Sequence, residues 1–265
     1  MFEILILLAL IGSVLAGLWD LATTEVPDEI PAVMIVLGLS ILFVLSVATG
    51  NFFPFFVSLI IGTVSLLIGL VMFKAGMWGE ADAWILASIA YLIPFFNGLF
   101  IIPFAMNLVI TSMFYMIIYA IILGLLNIHI FRFVWNDLKK NYKIVVGVPA
   151  AYFAFMISMF YMRGFVQNVL VSFLLITFLV VFWRYAKVLE EYVFRKRVRA
   201  KELKIGDVLE ETNWIGINEK QIMQIQKKKK YVTIKDGVRF VPVFAIALIL
   251  TLLYGNILFA LLGLV

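Results

Sequence analysis

Long uncharged stretches alternate with short polar breaks along this sequence. The uncharged runs cover 4–19, 31–49, 54–73, 83–131, 144–162, 164–183 and 240–265. Because an apolar helix of about 20 residues crosses the hydrocarbon core of a bilayer, each shorter run predicts one span. The run at 83–131 has 49 residues, enough for two spans with a turn around Pro94 and Pro103. The pattern therefore predicts about eight transmembrane helices, or seven if residues 83–102 form a re-entrant segment.

The composition agrees with this pattern. Hydrophobic residues make up 65% of the 265-residue chain and charged residues 14%, whereas soluble proteins average roughly 45–50% and 25%. We therefore predict an all-α polytopic membrane protein with a small cytoplasmic segment before its last span. Its three parts are a membrane domain at 1–186, a basic cytoplasmic segment at 187–239 and a final transmembrane helix at 240–265.

The positions of the basic residues predict the orientation. If Asp20 faces the cytoplasm, the inside loops hold twenty of the twenty-one Lys and Arg residues, and Arg163 alone lies outside. Cytoplasmic loops of membrane proteins carry such an excess of Lys and Arg. We therefore expect a multi-pass protein of the cell membrane, with both termini outside and with Asp20 and Asp82 at the cytoplasmic face.

The basic segment carries two local signals of its own. Residues 218–226 predict a short helix capped by Asn218, and residues 231–241 predict a hairpin that turns at Asp236-Gly237. The four lysines at 227–230 indicate contact with lipid headgroups. Apart from this basic charge, nothing in the sequence favours nucleic acid as a partner.

The residue types that are missing restrict the chemistry. The chain has no cysteine, and its one histidine, His129, is not part of an HExxH pattern. A thiol nucleophile, disulfides and a Cys-rich zinc site are therefore excluded. There is also no glycine-rich phosphate loop, so we expect neither a metal nor another cofactor. Carboxylate chemistry remains.

Two carboxylates stand at the mouths of apolar runs. Asp20 follows the run at 4–19 directly, and Asp82 precedes the run at 83–131. An ionisable group beside hydrocarbon is costly and therefore a functional candidate. The alternative is that both are boundary residues in water, with Asp82 as a helix N-cap. Small residues next to Asp82, Gly79 and Ala81, favour close approach of another helix. Two carboxyl groups held close cannot both ionise, which suits one as a general acid and the other as a general base.

At these residues the sequence resembles the prepilin and preflagellin signal peptidases, which are aspartic membrane proteases of the GxGD type. The stretch "DLATTEVPDEI" is similar to the family's first aspartate motif, and "GEADAWILASI" is similar to its Gly-x-Gly-Asp motif. The resemblance is strongest at 17–31, 76–90 and 201–252. It implies that Asp20 and Asp82 are the catalytic pair and that the substrates are pilin-like or archaellin-like precursors, cleaved after a short basic leader at the cytoplasmic face.

The sequence departs from the family pattern at two points. Ala81 replaces the second glycine of the motif. The Cys-rich metal-binding domain of the bacterial members has no counterpart here, so the resemblance implies peptidase activity without N-methyltransferase activity.

A further group of acids follows Asp20 and offers a second hypothesis. Glu25, Asp28 and Glu29 would attract a basic leader, each through an exposed ion pair of about 0.2–1 kcal/mol. The alternative is a solvated turn closed by Pro27 and Pro31. Two other interpretations of the whole chain stay open at this point: an ion- or proton-coupled transporter that uses the same acids, and a membrane assembly subunit without enzymatic activity.

Overall fold

The computed structural model describes residues 2–96, 98–163, 169–210 and 216–261, and it divides the chain into two units. The first unit comprises 1–116 and 237–265, and the second comprises 117–236. In chain order the α-helices are α1 (Phe2–Thr23), α2 (Glu29–Thr49), α3 (Phe53–Lys74), α4 (Glu80–Leu92), α5 (Ile101–Leu126), α6 (Ile130–Lys140), α7 (Tyr142–Arg163), α8 (Val169–Leu189), α9 (Glu219–Lys228), α10 (Pro242–Tyr254) and α11 (Ile257–Leu261).

The prediction of a helical, multi-pass membrane protein is confirmed. In the described part of the chain, five helices are long and apolar enough to cross a membrane: α1, α2, α3, α5 and α8. Helices α6 and α7 make a sixth if the pair, bent by 64° between them, is one broken span.

The finer count of eight spans is not reached by helices of spanning length. Helices α4 and α10 each have 13 residues, which gives a length of about 20 Å at 1.5 Å per residue, against a hydrocarbon core of about 30 Å. The expected break inside the 83–131 run does occur, since α4 ends at Leu92 and α5 begins at Ile101.

Helix α4 is the most enclosed helix of the first unit. Ten of its thirteen residues are buried, from Asp82 to Leu92. It packs at glycines of α3 and α2: a Cβ at Gly62 of α3 would lie 2.2 Å from the Tyr91 ring, and one at Gly38 of α2 would lie 2.7 Å from Leu92. Such small residues let transmembrane helices approach closely. The close packing fixes the position of the buried acid at the start of α4.

The second unit contains a small sheet that belongs to the basic segment. Its strands are β1 (Arg195–Arg199), β2 (Val208–Leu209) and β3 (Tyr231–Lys235), in the antiparallel order β1-β3-β2. The predicted short helix is confirmed as α9, and the Asn218 side chain accepts a hydrogen bond from the Gln221 N–H at 3.0 Å. Ile222 of this helix is buried with Val232 and other apolar residues of the same segment.

The predicted hairpin at Asp236-Gly237 is wrong. Strand β3 pairs along its whole length with β1, and residues 236–240 form no strand. Asp236 is instead fixed beside β1, because its N–H donates to the Phe194 carbonyl and its carboxylate pairs with Lys196. The partner of β3 lies far away in sequence, so a local turn signal did not reveal it.

One ion pair of the second unit is buried. Arg184 of α8 donates two hydrogen bonds to Asp137 of α6, at 2.8 Å and 2.5 Å. The Arg184 side chain is 7% exposed and that of Asp137 is 23% exposed. A bidentate pair of this kind fixes the two helices in register.

Candidate active site

Asp20 lies one turn before the end of α1 and faces the start of α10. Its side chain is buried, and Oδ2 accepts a hydrogen bond from the Val241 N–H at 3.0 Å. Gly17, one turn earlier on the same face, permits this contact: a Cβ there would lie 3.0 Å from the Pro242 Cα. The positive end of a helix dipole and its free N–H groups stabilise a carboxylate. Asp20 is therefore a buried carboxyl group that one main-chain N–H at a helix start holds in place.

Asp82 is the third residue of α4 and closes the helix N-terminus. Its Oδ2 accepts a hydrogen bond from the N–H of Gly79, the N-cap residue, at 2.8 Å. Asp82 is thus not itself the N-cap, which was the alternative interpretation, although it does satisfy one of the free N–H groups at this helix end. Its side chain is buried as deeply as that of Asp20, each residue being 5% exposed.

Gly79 leaves room for the Asp82 carboxyl group. Its backbone is extended, with φ −75° and ψ 161°, a conformation open to any residue. A Cβ at this position would lie 3.3 Å from Oδ2 of Asp82 and would push against the carboxyl group. Ala81, the other small neighbour, lies inside the first turn of α4 and packs against the apolar core of the unit.

The two carboxyl groups affect one another. Burial raises the pKa of Asp82 to about 7; the Gly79 hydrogen bond opposes this rise, and the negative charge of Asp20 adds to it. A carboxyl group with a pKa near 7 holds its proton over much of the neutral range and can act as a general acid. The site therefore contains one carboxyl group whose pKa lies near 7 and a second, that of Asp20, whose Oδ2 accepts the Val241 N–H at the start of α10.

An aromatic cluster includes two residues adjacent in sequence to those whose N–H groups bond to the two acids. It consists of Trp78, Phe240 and Phe244, with ring centroids 5.8 to 6.3 Å apart. Trp78 directly precedes Gly79, whose N–H bonds to Asp82. Phe240 directly precedes Val241, whose N–H bonds to Asp20.

The third acidic group, Glu25, Asp28 and Glu29, is not part of this buried pair. All three are exposed in the turn between α1 and α2 and at the start of α2. Asp28 occupies the N-cap position of α2 without a side-chain capping bond. Within the described residues, no group of three or more His, Asp or Glu side chains is placed to hold a metal ion.

Sequence reasoning missed the contribution of residues 239–242 to the site. Val241 supplies the hydrogen bond to Asp20, and the positive charge of Arg239 acts on the same carboxylate. The available signal was Pro242, because proline in the first helical turn marks a helix start and a helix start next to an apolar run can bind an anion. That signal gave no indication of which carboxylate would lie there.

Comparison with known proteins gives one relationship. A stretch of 87 residues is 36% identical to a preflagellin peptidase of Methanococcus voltae. The resemblance to the preflagellin peptidases is confirmed. The matched stretch covers 33% of this chain and 37% of that relative. The motifs that resemble the family lie between residues 17 and 252, so they extend over more of the chain than this match does. No protein-family model and no solved structure matches the chain.

Proposed function

We propose that the chain is an aspartic endopeptidase of the membrane, with Asp20 and Asp82 as its catalytic pair. The observation that carries this proposal is the coupled pair itself: two buried carboxyl groups on different helices, each held by one main-chain N–H, with the charge of Asp20 acting on Asp82. Two buried acids alone would also suit a proton-coupled transporter. The similarity to a preflagellin peptidase favours peptide hydrolysis.

The proposal gives the two groups complementary tasks. In each carboxyl group the main-chain N–H engages Oδ2, and Oδ1 is left for water or for the peptide carbonyl. The ionised carboxylate takes a proton from water as the water attacks the peptide carbon, and the protonated carboxyl group gives its proton to the departing amine. Gly79 supports this arrangement, since it leaves the space that the Asp82 carboxyl group occupies; Ala81 supports it by packing the first turn of α4.

The proposed substrates are precursors of the prepilin and archaellin kind, in which a short basic leader precedes an apolar helix. Cleavage takes place at the cytoplasmic membrane face, with both termini of the enzyme outside. The membrane lipids contact the four lysines at 227–230 of the basic segment. No metal, other cofactor or methyl transfer is part of the proposal.

The exposed acids after α1 are proposed to attract the basic leader. Three exposed ion pairs together raise affinity several-fold, because each contributes about 0.2–1 kcal/mol, and salt weakens them. Neutralising Glu25, Asp28 and Glu29 together should raise KM for a basic-leader substrate and leave KM unchanged for a substrate with a neutral leader. An equal effect on both substrates would show that the acids only form the turn.

The experiment that tests the proposed function uses the purified protein in detergent. A precursor with a basic leader and an apolar helix is added, and the products are identified by mass spectrometry. We expect a shortened precursor and a free leader, and neither product with Asp20→Asn or Asp82→Asn. Cleavage that continues at the wild-type rate in either variant would refute the assignment of the pair.

A further inference from the structure

A short stretch of main chain connects the start of α10 to the Asp20 carboxyl group. We call residues 239–241 the lead-in segment. At its end the Val241 N–H donates to Asp20 Oδ2 at 3.0 Å, and the next residue, Pro242, packs on Gly17 of α1. Asp20 thus accepts one of the free N–H groups of this helix start. The direction of that N–H depends on how the lead-in segment is held.

A second helix holds the other end of the lead-in segment. The Tyr115 hydroxyl of α5 donates to the Arg239 carbonyl at 2.5 Å. Helix α10 begins at Pro242, and its first turns use the carbonyls of Phe240 and Val241 as acceptors. The Arg239 carbonyl therefore lies before these helical hydrogen bonds, and Tyr115 supplies a donor for it. One side chain from α5 and one from α1 thus bond to main-chain groups only two residues apart.

The position of α10 as a whole has a separate support. At the far end of α10 the buried Asn107 of α5 donates to the Gly255 carbonyl at 2.6 Å and to Thr251 Oγ1 at 2.9 Å. Its Oδ1 accepts the Ile257 N–H at 3.0 Å. Polar side chains that hydrogen-bond between helices in this way stabilise helix packing in membranes. Loss of the Tyr115 hydroxyl should therefore release the lead-in segment while α10 stays packed on α5.

We infer that Tyr115 is a positioning residue for the catalytic pair: its hydroxyl fixes the Arg239 carbonyl and so keeps the Val241 N–H directed at Asp20. Peptide groups are planar and rigid, so a segment this short has little freedom to turn once a bond holds each end. The inference rests on the proposed function and deepens it, because it names a side chain outside the pair that keeps one member in place. Tyr115 acts through the main chain of the lead-in segment.

The test measures amide hydrogen exchange and precursor cleavage for wild type, Tyr115→Phe and Tyr254→Phe. Tyr254 is exposed at the far end of α10, so its variant controls for the loss of a tyrosine hydroxyl. In Y115F the Val241 amide, resolved by mass spectrometry, should exchange about tenfold faster, while the amides of α4 keep their wild-type rates. The kcat for the precursor should fall by up to about 10²-fold, as for a slightly misplaced catalytic group, with KM unchanged. Y254F should match the wild type in every measurement.

A hydroxyl that only stabilises the fold would give a different result, because exchange would then become faster in α4 as much as at Val241. That outcome overturns the inference, and so does an unchanged Val241 exchange rate or an unchanged kcat in folded Y115F. If Y115F does not fold, Tyr115→Gln, whose amide can still donate, is compared with Tyr115→Leu, and equal exchange at Val241 in the two overturns the inference. Failure of the proposed function is distinguishable, because the wild-type protein would then not cleave the precursor while the exchange of Val241 still reported on Tyr115.

Discussion

Asp82 should make the folded protein less stable as the pH rises, and its replacement by asparagine should remove this effect. In the folded state burial raises the pKa of Asp82 to about 7, from an ordinary value of 3.8. Between these two values the carboxyl group is protonated in the folded protein and ionised in the unfolded chain. Folding then binds a proton, and stability falls with rising pH.

The size of the effect follows from the pKa shift. One pH unit corresponds to about 1.36 kcal/mol, so a shift of roughly three units removes about 4 kcal/mol of unfolding free energy by pH 8. Asp82→Asn keeps an oxygen that accepts the Gly79 N–H but has no proton to lose. The variant should therefore match the wild type near pH 4 and exceed its stability by up to about 4 kcal/mol at pH 8.

The assay is reversible unfolding of the purified protein in detergent micelles at pH 4 and pH 8. Glu80→Gln serves as the control, because Glu80 is the exposed neighbour in the same helical turn and its variant makes the same change from carboxyl group to amide. A D82N variant with the same stability difference at pH 4 and pH 8 would refute the reasoning. It would mean that Asp82 ionises as readily in the folded protein as in the unfolded chain.

Three further predictions concern the geometry of the site and its orientation. Gly17→Leu should abolish cleavage while α1 still inserts, because the added side chain separates α1 from Pro242; precursor processing in membranes measures this, and wild-type processing would contradict the contact. Gly79→Ala should lower the cleavage rate at every pH by displacing the Asp82 carboxyl group, and an unchanged rate would show that the carboxyl group tolerates the Cβ. A cysteine at Asn51 should react with an impermeant thiol reagent in intact cells, whereas one at Lys140 should react only after the membrane is opened; the reverse pattern would overturn the proposed orientation.

The parts of the fold that depend on local sequence were predictable. The uncharged runs predicted α1, α2 and α3 closely, and the two prolines predicted the break between α4 and α5. Asn218 predicted the start of α9, because its side chain accepts a hydrogen bond from a free N–H only three residues away. Charge at the ends of apolar runs drew attention to Asp20 and Asp82 for a reason that needs no tertiary structure, the cost of a charge near hydrocarbon.

The parts that depend on distant contacts were not predictable. Asp20 and Val241 are 221 residues apart in sequence, and neither carries a local pattern that names the other. Strand β3 likewise pairs with β1 across more than thirty residues, while the Asp236-Gly237 turn signal pointed to the wrong partner. The number of spans could not be predicted for another reason. A run of apolar residues shows that a helix can be buried, but α4 is buried in protein and is too short to cross the membrane alone.

The central claim is that Asp20 and Asp82 act as one acid–base unit, and a double-mutant cycle tests it most directly. Cleavage rates are measured for wild type, Asp20→Asn, Asp82→Asn and the double variant, with every protein shown to be folded. Each single change should lower the rate by about 10²–10⁴-fold, and the double variant should be no slower than the slower single variant, as for residues that act together. Losses that multiply in the double variant, or near-normal cleavage by either single variant, would contradict the account.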